Sequence, residues 1–248
     1  MKNVSIESHD SVAILRLTNG VTNSITPEMV VELSEALKQV KSEYKAIVLA
    51  GGSKFFCIGL NLPGLLQLGR PAMTEFWNAF DKICIDLYTL PIPTACAIGG
   101  HATAGGAILA LACDYRFIAS GRKFIGLNEV QIGVPVPYLA DMILRQIVGD
   151  RAATEMTYRG DFLSPEEAQL VGLVDGIFSQ EDIESRVIEK MSELAALPTQ
   201  AFQVIKANRV EEIRSKFKQH SKAKTESFLD CWFSPTVQPL LNQAAEKF

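Results

Sequence analysis

The chain has 248 residues, 48 % of them apolar and 21 % charged, a balance that excludes a disordered chain and allows a sizeable buried core. Its 24 lysines and arginines stand against 28 aspartates and glutamates, so no basic field exists to recruit nucleic acid or an anionic membrane surface. No run of about 18 apolar residues is present to predict a membrane span.

VSIES and SVAILRLTN alternate apolar and polar residues around the turn-forming SHDS, which predicts a half-buried β-hairpin. A helix start follows. Thr26 can cap, Pro27 suits the first helical position, Glu28 favours the dipole, and Val30, Leu33, Leu37 and Val40 fall on one face. AIVLAG at 46–51 predicts a short buried strand ended by two glycines. A Gly-rich, Pro-marked loop over 52–71 leads into a helix over 72–90, with Phe76, Phe80, Ile83, Leu87 and Leu90 at helical spacing. TACAI then reads as a strand, AGGAILALACD as a helix starting from a glycine turn, YRFIA at 115–119 as a strand and KFIG as a shorter one. Strands alternate with helices through this half, the signature of an α/β fold.

From about residue 137 the pattern is almost wholly helical, interrupted by the strand LVDGIF, with little strand after 178. The division expected is a core over 1–190 and a helical region over 191–248. In that region Phe217, Phe228, Trp232, Phe233, Leu240 and Leu241 form apolar stripes that need something to pack on. A subunit interface is the expectation, with packing onto the chain's own core as the alternative. The mildly basic stretch Lys206 to Lys224 is interleaved with acids and reads as a solvated helix face.

Cys57, Cys84, Cys96, Cys113 and Cys231 are scattered among apolar neighbours without ligand spacing, and read as reduced core thiols. The first ten residues have neither a signal-peptide core nor an Arg-rich transit character, and the C-terminal EKF is no peroxisomal address. A cytoplasmic protein is expected.

Two glycine turns lead from apolar segments toward helices, KFFCIGLNL at 54–62 and IGGHATAGGAILALACDY at 98–115. In the second, Gly105 and Gly106 open a helix, so backbone N–H groups point out of the turn along the helix dipole. Such groups suit a developing oxyanion, although tight packing alone also explains a Gly-Gly pair. Neither turn matches a dinucleotide or P-loop fingerprint. No metal-ligand cluster occurs, and His9, His101 and His220 are read as satisfied polar residues. One further stretch stands apart. FIGLNEVQIGVPVP at 124–137 carries a single acid, Glu129, in apolar surroundings, with no basic residue within four positions.

The turn FFCIGLNL resembles the FxAG(A/L)DL turn of the crotonase (enoyl-CoA hydratase/isomerase) superfamily, and GGHATAGGAILALACDYRFIAS resembles its NGxAxGGGxxLALACDxRIAS segment. FIGLNEVQIGV, LSPEEAQLVGLVD and the helical tail follow in the expected order. The resemblance implies a crotonase-like spiral core of repeated ββα turns, forming two nearly perpendicular sheets, and a C-terminal helical trimerisation region. It implies an acyl-CoA thioester substrate, no cofactor beyond the coenzyme A of that substrate, no metal, and a homotrimer or dimer of trimers. The thioester oxygen would be held by the backbone N–H groups of Leu60 and Gly105. Ile58, Gly59, Leu60, Asn61, Leu62, Gly105 and Asn128 would contact the substrate.

Members that hydrate carry two glutamates, whereas this chain has Ile108 at the first position and Glu129 at the second. One carboxylate in an apolar pocket, its pKa raised by burial, can take a proton from C2 of a 3-enoyl thioester and return it at C4. AGGAILALACDYR and IGLNEVQIG are most similar to 3,2-trans-enoyl-CoA isomerases. A hydratase, an enzyme acting on a carrier-bound acyl group, and a non-catalytic assembly partner are the alternatives. Asn61 stands where the family has Asp, Ile58 where it has Ala, and Gly99 where Asn is common. Asp114 and Arg116, at a helix-to-strand corner, read as structural.

Overall fold

The computed structural model describes residues 1–246. The last two positions of the 191–248 region, which also end the C-terminal tripeptide, lie outside it. β1 (Val4–His9) and β2 (Val12–Leu17) form the antiparallel hairpin expected from their alternation. α1 (Pro27–Glu43) starts where its cap residues put it, with the Thr26 hydroxyl accepting from the Met29 N–H at 3.3 Å.

The middle of the chain is a repeat. β3 (Ala46–Ala50), β5 (Thr94–Ile98) and β7 (Tyr115–Ala119) each enter a six-stranded sheet of order β1-β2-β3-β5-β7-β9, closed by β9 (Gly176–Phe178). The strand after each of them, β4 (Phe55–Cys57), β6 (His101–Thr103) and β8 (Ile125–Gly126), goes instead to a second, three-stranded sheet. Helices follow each pair: α2 (Leu62–Leu65) and α3 (Arg70–Tyr88), then α4 (Gly105–Leu111), then α5 (Tyr138–Arg159), which breaks at Gly149. Every turn of the spiral therefore carries the chain from the large sheet through the small sheet into a helix. The loop expected over 52–71 contains β4 and α2, and α3 begins two residues before the expected helix.

AIVLA and, after Thr94, TACAI are apolar and buried because both faces of the large sheet are covered. Ile47 and Leu49 point into the main core with α1 and α3, while Val48 and Ala50 pack on the opposite face against α7 (Ile183–Ala195). The glycines at the corners permit backbone-to-backbone contact. A Cβ on Gly106 would lie 2.0 Å from the Cys57 carbonyl oxygen, and one on Gly100 2.5 Å from the Lys54 carbonyl carbon.

α6 (Pro165–Leu170) has a complete capping box between Ser164 and Glu167. α8 (Thr199–Trp232) runs about 50 Å at 1.5 Å per residue, and α9 (Gln238–Ala245) packs against α2 and the segment after Glu129. The stripes for which a subunit interface was one expectation are largely covered within the chain. Phe228, Trp232 and Leu241 are buried on their own core, and Phe217 and Phe233 pack against it.

Lys206 departs from the solvated face expected of its stretch. It is buried, and its Nζ donates to Asp114 Oδ2 at 2.7 Å and to the Ile92 carbonyl at 3.1 Å. The same Asp114 oxygen accepts from the Thr94 N–H and hydroxyl. Arg116 is likewise buried, donating to the Leu173 and Cys113 carbonyls. Both corner residues are structural, as their position suggested. Four of the five cysteines are buried free thiols, and burial pushes Cys57 up to about 12.

Candidate active site

The first glycine turn is built by a parallel bridge. Ile25 N–H donates to the Gly59 carbonyl at 2.8 Å, and the Ile25 carbonyl accepts from Asn61 N–H at 3.0 Å. Both bonds flank Leu60, so its own N–H is turned to the other side. Thr103 Oγ1 fixes the turn further by donating to the Ile58 carbonyl at 3.1 Å. The second turn sits directly against the first, since a Cβ on Gly59 would fall 2.9 Å from the Gly105 nitrogen. Gly59 is at φ +97, a conformation that favours glycine.

Ala104, the residue before α4, holds φ 48 and ψ −120 without being a glycine. That strained backbone sets the direction of the Gly105 N–H at the first position of the helix. Among the described residues, neither the Leu60 N–H nor the Gly105 N–H has a protein acceptor. Two free donors at touching turns are what an oxyanion requires.

Both turns line one cavity of about 280 Å³, and Glu129 lines it with them. Glu129 opens a short 3-10 helix (Glu129–Ile132) that ends at Gly133 in the left-handed conformation, φ 83. Its position is set by the backbone, with Val134 N–H donating to the Glu129 carbonyl at 3.1 Å. Gln131 ties the same helix to the end of α5 through the Arg159 and Gly160 carbonyls. Glu129 is 5 % exposed, and its Oε2 is buried without a hydrogen-bond partner among the described residues. Burial raises its pKa to about 7, opposed only by a contact with its own backbone N–H. Glu129 is the one carboxylate among the described residues lining the cavity, and Ile108 lines it too.

Of the residues singled out from the sequence, Ile58, Leu60, Leu62, Gly105, Asn128 and Glu129 therefore line a single cavity. Gly59 and Asn61 lie behind them. Asn61 Oδ1 caps α2 by accepting from Gly64 N–H, and its amide donates to Ser24 Oγ, both at 3.0 Å. The second bond uses an amide donor that the carboxylate of an Asp lacks.

A family model described as enoyl-CoA hydratase/isomerase matches residues 7–239. The chain belongs to this family. Among its relatives, the human mitochondrial enoyl-CoA delta isomerase 1 is 28 % identical over 240 residues, covering 95 % of this chain and 80 % of the relative. The crotonyl-CoA hydratase of Syntrophomonas wolfei is 26 % identical over 186 residues, covering 73 % and 71 %. The crystal structure of human mitochondrial delta3-delta2-enoyl-CoA isomerase superposes with a TM-score of 0.95 at 27 % identity, covering 99 % of this chain and 97 % of that one. An enoyl-CoA hydratase from Mycobacterium marinum superposes with a TM-score of 0.80, also at 27 % identity, covering 92 % and 96 %.

As a crotonase fold, the molecule completes its site with residues from distant elements that sequence reading did not bring to it. Trp77 and Phe80 come from α3, Phe228 and Trp232 from α8, and Leu240 and Gln243 from α9. Phe80, Phe228, Trp232 and Leu240 carried an apolar signal that pointed to packing. Nothing in their spacing distinguishes a core face from a cavity wall. The histidines lie elsewhere: His101 stacks on Phe124 with centroids 5.3 Å apart, and burial followed by Lys123, Arg122 and Lys54 lowers its pKa.

Proposed function

We propose that this enzyme moves the double bond of a 3-enoyl-CoA to the 2-trans position, as in fatty-acid metabolism. The reading rests on one observation, the lone carboxylate of Glu129 facing a cavity in which Ile108 occupies the place of a second acid. The ionised Glu129 takes the proton from C2. The electron pair of that C–H bond passes into the conjugated system, and the thioester oxygen becomes an enolate held by the N–H groups of Leu60 and Gly105. Glu129, now a neutral acid, returns the proton at C4, leaving the double bond between C2 and C3. A pKa near 7 suits a group that must accept and then release the same proton.

The likeness to the human isomerase over nearly the whole chain supports this reading. The hydratases among the relatives supply the rival reading, in which water adds to a 2-enoyl-CoA. That reaction needs water activated on one side and a proton delivered on another, and Ile108 offers neither. The proposal carries with it coenzyme A as the substrate's handle and no further cofactor. It also carries a homotrimer or dimer of trimers formed through the helical region, and a cytoplasmic location. A carrier-protein tether in place of coenzyme A would leave the same chemistry.

Glu129→Gln keeps the volume and removes the base. Its kcat on a 3-enoyl-CoA is expected to fall by about a thousandfold or more, with the melting temperature retained or raised. Turnover within a factor of about ten of wild type would overturn the mechanism.

A further inference from the structure

A second cavity, of about 380 Å³, lies beside the candidate active site. Trp77, Val134, Pro137 and Phe228 line both, so the two cavities adjoin across these side chains. Val134 and Pro137 belong to the segment that follows Glu129, whereas Trp77 and Phe228 come from α3 and α8 and meet face to face. Their ring centroids are 3.6 Å apart with planes at 16°, and each residue is 3 % exposed. Val130, Val136 and Phe217 add to the apolar lining of the second cavity, and Asp81, Asp141, Ser221 and Lys224 are among its polar residues.

The catalytic cavity alone is about 280 Å³, at the lower edge of the about 300–1,000 Å³ usual for small-molecule sites. It must hold the reacting carbons and whatever follows them. We infer that the Trp77–Phe228 stack sets the acyl-chain length this enzyme accepts, by closing the catalytic cavity off from a second cavity that can receive the far end of a longer chain. This rests on the isomerase reading and names its substrate class, the shorter 3-enoyl thioesters.

The test compares kcat/KM on 3-enoyl-CoA thioesters from hexenoyl to hexadecenoyl for the wild type, Trp77→Leu and Phe228→Leu. Each Leu variant is also measured combined with Ser221→Trp, which fills the second cavity from α8. Each methylene newly buried is worth about fourfold, or about 0.8 kcal/mol. The ratio of dodecenoyl to hexenoyl kcat/KM is therefore expected to rise at least about tenfold in either Leu variant, and to return toward the wild-type value when Ser221→Trp is added. An unchanged ratio in both Leu variants overturns the inference. So does a gain that Ser221→Trp leaves in place. Absence of wild-type turnover at every length contradicts the isomerase reading itself, a result distinguishable from either.

Discussion

Glu129 combines two properties that oppose each other in a folded protein. Its carboxyl is buried with one oxygen unpartnered, which disfavours the charged form, and it stands where only the charged form can act as a base. Burial raises its pKa from 4.5 to about 7, so between those values the folded chain binds a proton that the unfolded chain has released. Stability linked to this residue is thus fully present below about pH 4.5 and lost as pH rises through about 7. At about 1.4 kcal/mol per pH unit, the loss is on the order of 3 kcal/mol. Urea unfolding of wild type and Glu129→Gln is expected to diverge from about pH 5 to about pH 8, with the variant the more stable at the upper end. Burial also raises the pKa of Asp81 to about 7, but Asp81 is present in both proteins and cancels in the difference. A constant difference across that range would contradict the assignment. In activity the sign is reversed, and kcat/KM is expected to rise with pH through about 7 as the base ionises.

Among the elements, α8 contributes most to the site for its distance from the residues that the motifs picked out. Its last turns supply Phe228 and Trp232 to the cavity, and it is clamped near both ends. Arg70 at the start of α3 bonds Glu226 and Asp230 at 2.9 and 2.6 Å, and Lys206 bonds Asp114 at 2.7 Å. The first clamp is exposed and contributes little. The second is buried at the lysine, and removing it leaves Asp114 without a counter-charge and the Ile92 carbonyl without this donor, a loss of about 3 kcal/mol. Lys206→Ala is expected to lower Tm by roughly 6–12 °C, and a change within about 2 °C would remove the clamp from the account. The solvated reading of Lys206 failed because charge pattern along a helix reports only its own neighbours. Asp114, its partner, is 92 residues away. By contrast α1 was legible to its first residue, because capping chemistry is local to the sequence that carries it.

At the scale of the molecule, the alternation of apolar strand, glycine corner and amphipathic helix was legible in the residues, whereas the spiral of ββα turns came from the resemblance, because β4 lies in a stretch that reads as a loop. The two glycine turns and Glu129 were legible through motifs, and the fold brings Leu60, Gly105 and Glu129 to one cavity. The remaining wall was not. Trp77 sits in a helix whose apolar face would read the same against a core or a cavity, and only the long return of α8 and α9 decides which. What the fold makes of the described residues is a small chamber in which two free backbone donors and one carboxylate meet. The most direct test of that account is to incubate the wild-type protein with trans-3-hexenoyl-CoA and, separately, with trans-2-hexenoyl-CoA, and to identify the products by mass and chromatography. Conversion of the first to trans-2-hexenoyl-CoA, with no hydrated thioester from either, is the predicted result. Formation of 3-hydroxyhexanoyl-CoA from the 2-enoyl substrate, without any shift of the 3-enoyl double bond, would contradict it.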